Sequence, residues 1–483
     1  MTALHYRSAT SLAQSIKVGE IGARELLDHF LARVDRYNPA LNAVIFEQRG
    51  AARARADEAD AARRRGDKLG PLHGLPMTIK ESFDWAGSPA TWGLTELRDN
   101  VAKTDALPVQ RLVAAGANIF GKTNVPPRLA DFQSFNPVYG TTNNPWDLGR
   151  TPGGSSGGSS AATAAGLTAM EMGTDIGGSV RNPAHYCGVF THKPTWNLLP
   201  MRGHSPSGAV TPPDISVLGP FGRSASDLRV GINVLAGPDL LDAPAVSVKL
   251  AGLDKPISQL RVGVWASTPA CAPSKAVAAA IERVAKALAA QGAQVDYEAR
   301  PSFSAEDAFF VYSGLLFSAM AARLPDAAYQ ALVEKAQALD PKDDSPYALQ
   351  LRAQTMTARD WAALNERRSK MRWAWREFFQ TYDVLLTPIM PTTAFPHDHK
   401  PEHERTLQVD DEVRPYMSQL FWAGLSGGVY LPSTMIPAGP AADGLPVGVQ
   451  MIGPAYSDLK LIDIAQKLEE AGFSFRPPPG YDA

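Results

Sequence analysis

The chain has 483 residues, with 47 basic and 49 acidic side chains, a formal net charge of −2 at pH 7 and 45% hydrophobic residues. A chain of this size and composition can bury a large core of its own. Its balanced charge creates no overall field that would attract a phosphate backbone or anionic lipid, so we expect no nucleic-acid partner. The two cysteines, Cys187 and Cys271, exclude a disulfide framework and lack the spacing of metal ligands.

The sequence predicts no membrane segment. No stretch reaches the roughly 18 consecutive apolar residues that a spanning helix needs. The first seven residues, Met1 to Arg7, also lack the charged and then apolar order of a secretory signal. We therefore expect a cytoplasmic protein.

The N-terminal part of the chain predicts helices. Apolar residues between Leu26 and Val34 recur at helical spacing, and Asn38-Pro39 is expected to stop that run. A charged, alanine-rich segment from Ala51 to Arg65 predicts a further helix. From Pro71 to Thr195 the chain is rich in Gly, Pro, Ser and Thr between short apolar runs, which predicts short strands alternating with helices.

The C-terminal part returns to the same alternation. Ser274 to Gly292 predicts a helix with a glycine stop, and the strand-like Gln294-Val-Asp-Tyr297 follows it. This helix-then-strand order favours an α/β sheet. Residues 302–425 form a second helix-rich stretch, and Gly444 to Glu470 predicts a strand, a turn and a helix.

One motif indicates nucleotide binding. Gly116-Ala-Asn-Ile-Phe-Gly-Lys-Thr123 matches the phosphate-binding pattern G-x-x-x-x-G-K-[ST]. A P-loop needs a strand before its glycines and a helix after its Lys-Thr pair, so that backbone N–H groups face the phosphates. Here residues 109–115 predict a helix that Gly116 ends, and Pro126-Pro127 obstruct a helix after the motif. A P-loop nucleotide-binding protein stays a distant alternative.

A second motif, Gly153-Gly-Ser-Ser-Gly157, matches the G-x-S-x-G nucleophile elbow of α/β-hydrolases. An elbow follows an apolar strand, and residues 143–152 are not apolar, so we do not expect Ser155 to be an elbow nucleophile. Gly153 to Ser160 has the composition of a flexible linker. Because it continues into small, helix-compatible residues, we predict a tightly packed helix N-terminus instead.

A third motif, Gly173-Thr-Asp-Ile-Gly-Gly-Ser179, favours nucleophilic catalysis. Its glycines allow successive N–H groups to converge on one point, as an oxyanion hole requires. A serine nucleophile also needs a base, and lysine is a documented alternative to histidine. We expect structural roles for His73, His185 and His192. Lys80 ends a short apolar strand. The simpler interpretation is a lysine that forms a salt bridge, and the alternative is a catalytic base.

Taken together, the ordered motifs closely resemble those of the amidase signature family. The resemblance extends over about residues 9–473 and is weakest between 302 and 425. The motifs that carry it are Gly74-Leu-Pro-Met-Thr-Ile-Lys-Glu81, Gly121-Lys-Thr-Asn124, Thr151-Pro-Gly-Gly-Ser-Ser-Gly-Gly158, Gly173-Thr-Asp-Ile-Gly-Gly-Ser-Val-Arg-Asn-Pro-Ala184, Lys193-Pro-Thr195 and Gly444-Leu-Pro-Val-Gly-Val-Gln-Met-Ile-Gly453.

The resemblance implies one α/β domain over residues 1–483, with a central mixed β-sheet sandwiched between layers of helices. Within it we expect an N-terminal helical segment (1–70) and a signature core with the catalytic triad (71–200). A variable, helix-rich region (302–425) is expected to form the substrate pocket, and residues 426–483 to return to the sheet core.

The resemblance also implies a Ser-Ser-Lys triad, with Ser179 as nucleophile, Ser155 in a cis peptide as the bridging serine, and Lys80 as base. Leu129 and Phe132 are expected to line part of the substrate pocket. The backbone N–H groups expected to form the oxyanion hole are those of Ile176, Gly177, Gly178 and Ser179. The polar residues expected to support this loop are Asp175, Arg181, Ser156 and Thr151.

This triad has one chemical requirement. For Lys80 to act as a base near pH 7, its pKa must fall by roughly 3 units from about 10.4, which burial can achieve. Ser155 then relays a proton between Ser179 and Lys80, and water hydrolyses the acyl-enzyme. No metal and no organic cofactor has a role in this scheme.

The implied activity is hydrolysis of the C–N bond of a small linear carboxylic amide other than a peptide, with ester or carbamate cleavage as a side activity. The alternative in the same family is the glutamine-splitting A-type component of a tRNA-dependent amidotransferase, which supplies ammonia within a complex. The resemblance also implies a homodimer. Aromatic residues of the variable region fit either a pocket for apolar or aryl amides or a helix core, and they are Phe309, Phe310, Tyr312, Phe317, Tyr416, Phe421 and Trp422.

Overall fold

The computed structural model describes residues 2–206 and 208–482. The α-helices within these ranges are α1 (Ala9–Val18), α2 (Ala23–Leu41), α3 (Arg49–Arg65), α4 (Leu107–Ala114), α5 (Gly157–Ala164), α6 (Arg181–Cys187), α7 (Ala225–Leu235), α8 (Lys275–Ala290), α9 (Ala305–Ala321), α10 (Asp326–Gln337), α11 (Pro346–Gln354), α12 (Ala358–Thr381), α13 (Leu420–Gly427) and α14 (Asp458–Glu470).

The β-strands within the same ranges are β1 (Val44–Glu47), β2 (Pro76–Lys80), β3 (Asn118–Thr123), β4 (Phe135–Asn136), β5 (Gly140–Thr141), β6 (Glu171–Asp175), β7 (Phe190–Lys193), β8 (Val217–Gly222), β9 (Arg261–Val264), β10 (Gln294–Asp296), β11 (Val384–Thr387), β12 (Thr406–Val409), β13 (Glu412–Pro415), β14 (Ser433–Pro440) and β15 (Pro446–Ile452). None of the described helices has the length and hydrophobicity needed to span a bilayer.

The central sheet has eight strands in the order β10-β9-β11-β15-β14-β7-β8-β6. Strands β10, β9 and β11 run parallel to one another, and the remaining pairings are antiparallel. Successive side chains of β11 enter opposite cores, with Val384 and Leu386 in one and Leu385 in the other. The first core includes apolar residues of α8 and α14, and the second includes those of α9 and α13. The predicted α/β fold with a mixed sheet between helices is therefore confirmed.

A smaller sheet brings the N-terminal part of the chain to one end of the central sheet. Its order is β1-β3-β2, with β2 parallel and β1 antiparallel to β3. Strand β2 lies beside β6, the edge strand of the central sheet, and both strands are fully buried. The C-terminal residue of β2, Lys80, is therefore held between two sheets.

The ends of two helices can be compared with the ends predicted from the sequence. Helix α8 begins after its N-cap Ser274 and ends before Gly292, which has a φ of 94°, as predicted. Helix α2 does not stop at Asn38-Pro39 but continues to Leu41. Pro39 provides no N–H for the carbonyl four residues earlier, but only two helical residues follow it, and the Asn38 side chain stabilises the exit by accepting from Ala43 N and Val44 N, each at 2.9 Å.

The P-loop alternative is wrong. Gly116 has a φ of 95° and follows α4, while β3 occupies Asn118–Thr123 inside the motif instead of preceding it. Lys122 is buried, and its ammonium group donates to three backbone carbonyls. These are the carbonyls of Glu81 at 3.0 Å, Phe83 at 2.7 Å and Pro89 at 2.5 Å. The lysine therefore fixes the loop after β2 and is not available to bind a phosphate.

This arrangement predicts a stability defect for Lys122→Met. The substitution keeps most of the side-chain volume but leaves three buried carbonyls without a donor, so the free energy of unfolding should fall by about 2 to 4 kcal/mol. Urea denaturation followed by far-UV circular dichroism measures this change. Lys103→Met, at an exposed position, is the matched control and should leave the unfolding midpoint unchanged. Equal stability of the two variants would contradict the structural role of Lys122.

Candidate active site

Lys80 contacts Ser155, and the loops that carry Ser155 and Ser179 lie side by side, since Ser156 N–H donates to Ser179 O at 3.1 Å. The Nζ atom of Lys80 is 2.6 Å from Ser155 Oγ and 2.9 Å from Thr174 Oγ1 of β6. The exposed fraction is 0% for Lys80, 1% for Ser155 and 6% for Ser179. An amine in the interior thus contacts a hydroxyl group, while the second serine lies nearest the surface.

The loop that carries Ser155 is held by hydrogen bonds to its backbone. The Gly154–Ser155 peptide bond is cis. Gly154 N–H donates to Asn182 Oδ1 at 3.0 Å, and Gly153 N–H donates to Thr151 Oγ1 at 3.0 Å. The predicted supporting residue Thr151 therefore lies at this loop.

The same segment is closely packed against neighbouring backbone. A Cβ atom at Gly154 would lie 2.4 Å from the carbonyl oxygens of Asp131 and Gln133, and one at Gly158 would lie 2.3 Å from Asn124 N. Only glycine fits at such positions. Helix α5 starts at Gly157, and all its residues are buried. The predicted tightly packed helix N-terminus is confirmed, and the flexible-linker interpretation is wrong.

The loop that carries Ser179 is organised around an ion pair. Arg181 binds Asp175 with two hydrogen bonds, Nε to Oδ2 at 3.0 Å and Nη2 to Oδ1 at 2.8 Å, and both side chains are buried. The Asp175 carboxylate also accepts from the N–H groups of Gly178 at 2.9 Å and Val180 at 3.1 Å. Burial opposes ionisation of Asp175, but the Arg181 guanidinium and these donors together lower its pKa to about 2.

The four N–H groups expected to form the oxyanion hole differ in their hydrogen bonds. The N–H of Gly178 is already bound to Asp175 Oδ1. Among the described residues, none accepts a hydrogen bond from the N–H groups of Ile176, Gly177 or Ser179. Three of the four expected donors therefore have no acceptor among the described residues, and their role in an oxyanion hole stays a prediction.

The surroundings of Lys80 lower its pKa to about 7. Burial is the main cause, and it outweighs the opposing influence of the nearby carboxyl groups of Asp175, Glu171 and Glu81. Burial also raises the pKa of Glu171 to about 8, while Thr123 Oγ1 donates to its Oε1 at 2.6 Å. The raised pKa favours the neutral form of Glu171, which attracts a proton on Lys80 less strongly than a carboxylate would.

Three further predicted site residues, Ser156, Phe132 and Leu129, differ in their contacts with the two serine loops. Ser156 Oγ is 3.3 Å from the carbonyl oxygen and 3.4 Å from the nitrogen of Thr174, so it links the two loops. Phe132 is buried, and its Cε1 atom would be 3.9 Å from a Cβ atom at Gly178. Leu129 has a φ of 59° and is only partly buried. Its contact with a substrate stays a prediction.

The histidines bind partners outside the triad. His185 lies between the carbonyl oxygens of Thr392 and Gly448, and His192 contacts Asp458 at 3.0 Å. His73 Nε2 is 3.0 Å from the carbonyl oxygen of Ala59. Their contacts agree with the structural roles expected from the sequence.

Sequence reasoning missed two residues that contact the site, Thr174 and Asn182, and it considered Tyr312 for the pocket without foreseeing its contact with the Ser179 loop. Thr174 and Asn182 stand inside the recognised motif, but their contacts with Lys80 and Gly154 depend on how β2 and the two loops meet. Tyr312, on α9, donates its hydroxyl hydrogen to the carbonyl oxygen of Ile176 at 3.0 Å. In the sequence it is one aromatic residue among several in the variable region.

Buried apolar side chains pack against the glycines of the Ser179 loop. Cβ atoms at Gly177 and Gly178 would lie 3.2 Å from Leu420 Cδ2 and 3.2 Å from Ala423 Cβ, respectively. Met390 and Phe132 also approach Gly178. Among the aromatic residues considered for the pocket, Phe310 is 48% exposed and packs against Arg367.

Known proteins match almost the entire chain. Residues 25–462 match the family profile described as Amidase. The A-type component of the glutamyl-tRNA(Gln) amidotransferase of Prochlorococcus marinus (strain MIT 9313) is 32% identical over 483 residues, covering 95% of this chain and 96% of that protein. An indoleacetamide hydrolase of Bradyrhizobium diazoefficiens is 32% identical over 476 residues, covering 96% of this chain and 86% of that protein.

A solved structure supports the same relationship. That of a 6-aminohexanoate cyclic dimer hydrolase superposes with a TM-score of 0.77 at 28% identity, covering 99% of both chains. The extent of these matches agrees with the motifs around Lys80, Ser155 and Ser179. The chain belongs to the amidase family, the amidase signature enzymes, and is accordingly a hydrolase of carbon–nitrogen bonds in amides other than peptides.

Proposed function

We propose that this chain hydrolyses a small apolar or aryl amide through an acyl-enzyme, with Ser179 as nucleophile, Ser155 as proton relay and Lys80 as base. The observation that carries this proposal is the 2.6 Å contact between Lys80 Nζ and Ser155 Oγ in the interior. Burial lowers the pKa of that amine to about 7, so a large fraction is neutral at physiological pH and can accept a proton.

In the first step, neutral Lys80 takes the proton of Ser155 as Ser155 takes the proton of Ser179. An electron pair of Ser179 Oγ forms the new C–O bond, and the carbonyl π electrons move onto the carbonyl oxygen. The N–H groups of Ile176, Gly177 and Ser179 donate to that oxygen, where the negative charge develops. The loop does not reorganise to do so, because the Asp175–Arg181 pair holds it.

In the second step, the C–N bond breaks as the oxyanion reforms the carbonyl group. The proton passes from Lys80 through Ser155 to the leaving nitrogen, which departs as a neutral amine or ammonia. Water then attacks the acyl-enzyme with the same relay and releases the carboxylic acid. Ester or carbamate cleavage follows the same path with a different leaving atom.

The proposed substrate class rests on the groups beside the Ser179 loop. Leu420, Ala423, Met390 and Phe132 present apolar atoms there. Asp175 and Arg181 neutralise each other and are buried, so neither is free to pair with a charged substrate. Glutamine would bring an ammonium and a carboxylate group that both need partners, which favours an apolar amide over glutamine.

The amidotransferase component remains the second candidate, because a protein of that kind is 32% identical over nearly the full length. In that case the chain would release ammonia from glutamine only within a complex. The small-molecule substrate, the homodimer and the cytoplasmic location expected from the sequence belong to the hydrolase proposal. They stay predictions.

Loss of the nucleophile should abolish turnover without unfolding the protein. We expect Ser179→Ala to lower kcat/KM roughly 10⁴-fold or more towards any amide that the wild type cleaves, and Lys80→Ala to do the same. A fluorophosphonate should label Ser179 in the wild type, as seen by peptide mass spectrometry, and leave Ser179→Ala unlabelled. Ser88→Ala, at a buried serine whose Oγ donates to Trp85 O, is the control. Near-wild-type activity in folded Ser179→Ala would contradict the assignment of Ser179 as the nucleophile.

The titration of Lys80 predicts a pH profile. Because the neutral amine is the active form and its pKa is about 7, kcat/KM should rise about tenfold per pH unit below 7 and level off above about 8. The rate of fluorophosphonate labelling should follow the same limb, since it needs the same activated serine. A flat profile between pH 6 and 8, or a limb near the ordinary lysine pKa, would contradict a neutral Lys80.

The two candidate functions separate in one assay. The purified chain alone should cleave an apolar or aryl amide with a kcat/KM at least about 100-fold above that for glutamine. Ammonia release and acid formation measure both reactions. Glutaminase activity that appears only with a co-purified partner protein, together with inactivity towards apolar amides, would favour the amidotransferase.

A further inference from the structure

Tyr312 is held rigidly between α13 and the Ser179 loop. Its ring is buried and fits a notch that two glycines leave on the neighbouring segment. A Cβ atom at Gly424 would lie 2.3 Å from Tyr312 Cδ1, and one at Gly428 would lie 3.0 Å from Tyr312 Cδ2. The ring therefore has little freedom to move, and its hydroxyl group has a fixed position.

That hydroxyl group binds one specific peptide unit of the loop. It donates to the carbonyl oxygen of Ile176 at 3.0 Å. The same peptide unit carries the N–H of Gly177, which has no acceptor among the described residues. A trans peptide is planar, so its C=O and N–H point in opposite directions. Fixing the Ile176 carbonyl towards Tyr312 thus fixes the Gly177 N–H away from it.

The rest of the loop is fixed from the opposite side. Asp175 holds the N–H groups of Gly178 and Val180. The Ile176–Gly177 peptide lies outside those contacts, and the two glycines after it, Gly177 and Gly178, would allow it to rotate. Tyr312 supplies the contact that such a peptide needs to keep one orientation.

We propose that Tyr312 is a positioning residue that orients the Gly177 N–H towards the oxyanion formed on the substrate. This inference rests on the proposed acyl-enzyme mechanism, in which that N–H donates to the carbonyl oxygen. Oriented donors stabilise a transition state because they need no reorganisation when the charge develops. The residue thus acts through the loop, without touching the reacting atoms.

Burial also raises the pKa of Tyr312 above its ordinary value. The hydroxyl group therefore remains a donor over the whole range of the pH profile. Removing the hydroxyl group should therefore leave the pH at which kcat/KM rises unchanged. This result separates an effect on the loop from an effect on the base, Lys80.

The test is Tyr312→Phe, which keeps the ring in its notch and removes only the hydroxyl group. We expect kcat to fall about 10- to 100-fold, with KM changed less than about threefold. This decrease should not exceed the one caused by removing an entire oxyanion-hole donor. The inhibition constant of a trifluoromethyl ketone should rise by the same factor as kcat/KM falls, because its adduct places an oxyanion in the hole. Incorporation of 4-aminophenylalanine at position 312 restores a donor and should recover most of the activity.

Tyr382→Phe is the matched control. It removes the same hydroxyl group from a tyrosine whose partner, Asp296, belongs to β10 at the far edge of the central sheet. Its kcat, KM and inhibition constant should equal those of the wild type. Thermal unfolding of both variants confirms that they are folded before kinetics are compared.

Three outcomes would overturn the inference. Unchanged kcat and inhibition constant in Tyr312→Phe would mean that the loop needs no anchor there. A raised KM at constant kcat would make Tyr312 a wall of the substrate pocket. If the ketone forms no adduct with Ser179 even in the wild type, the proposed mechanism fails, and this inference fails with it.

Discussion

A fully buried lysine amine, whose neighbouring carboxyl groups are bound to other partners, is the feature on which the rest of this site depends. Removing the Lys80 amine from water disfavours its charged form, but a single unpaired carboxylate beside it would restore the proton. Each neighbouring acid is engaged elsewhere. Asp175 is paired with Arg181, and Glu81 accepts from the backbone of Thr91 and Trp92.

This requirement explains why several buried polar side chains surround the contact between Lys80 and Ser155. Arg181 extends from Asp175 to Gln450 Oε1 at 2.7 Å and Ser426 Oγ at 2.8 Å, which connects the Ser179 loop to β15 and α13. Lys122 satisfies three carbonyls of the loop after β2, whose first residue is Glu81. These groups hold the acids and loops around Lys80 in arrangements that leave its amine facing Ser155.

The sequence was sufficient to predict the α/β fold and the failure of the P-loop pattern, because each depends on local order along the chain. It was not sufficient for contacts that arise where separate segments meet. Thr174 contacts Lys80 only because β2 lies beside β6. Likewise, the Gly178 N–H donates to Asp175 only because the loop folds over that carboxylate. Pro39 was misjudged for a related reason, since the Asn38 side chain stabilises a helix end that local propensity alone would place earlier.

The notch that receives Tyr312 has a consequence for how activity can diversify in this scaffold. Helix α13 contributes Gly424 to the notch, and it also carries Leu420 and Ala423, which face the glycines of the Ser179 loop. One short helix thus packs against both Tyr312 and the Ser179 loop, and in the proposed function it also forms part of the substrate pocket. Changes that enlarge the pocket on α13 will shift the tyrosine as well, so a new acyl preference and the speed of bond cleavage will tend to evolve together. Phe132 approaches the same loop from another segment, so a substitution there changes neither α13 nor the notch that it contributes to.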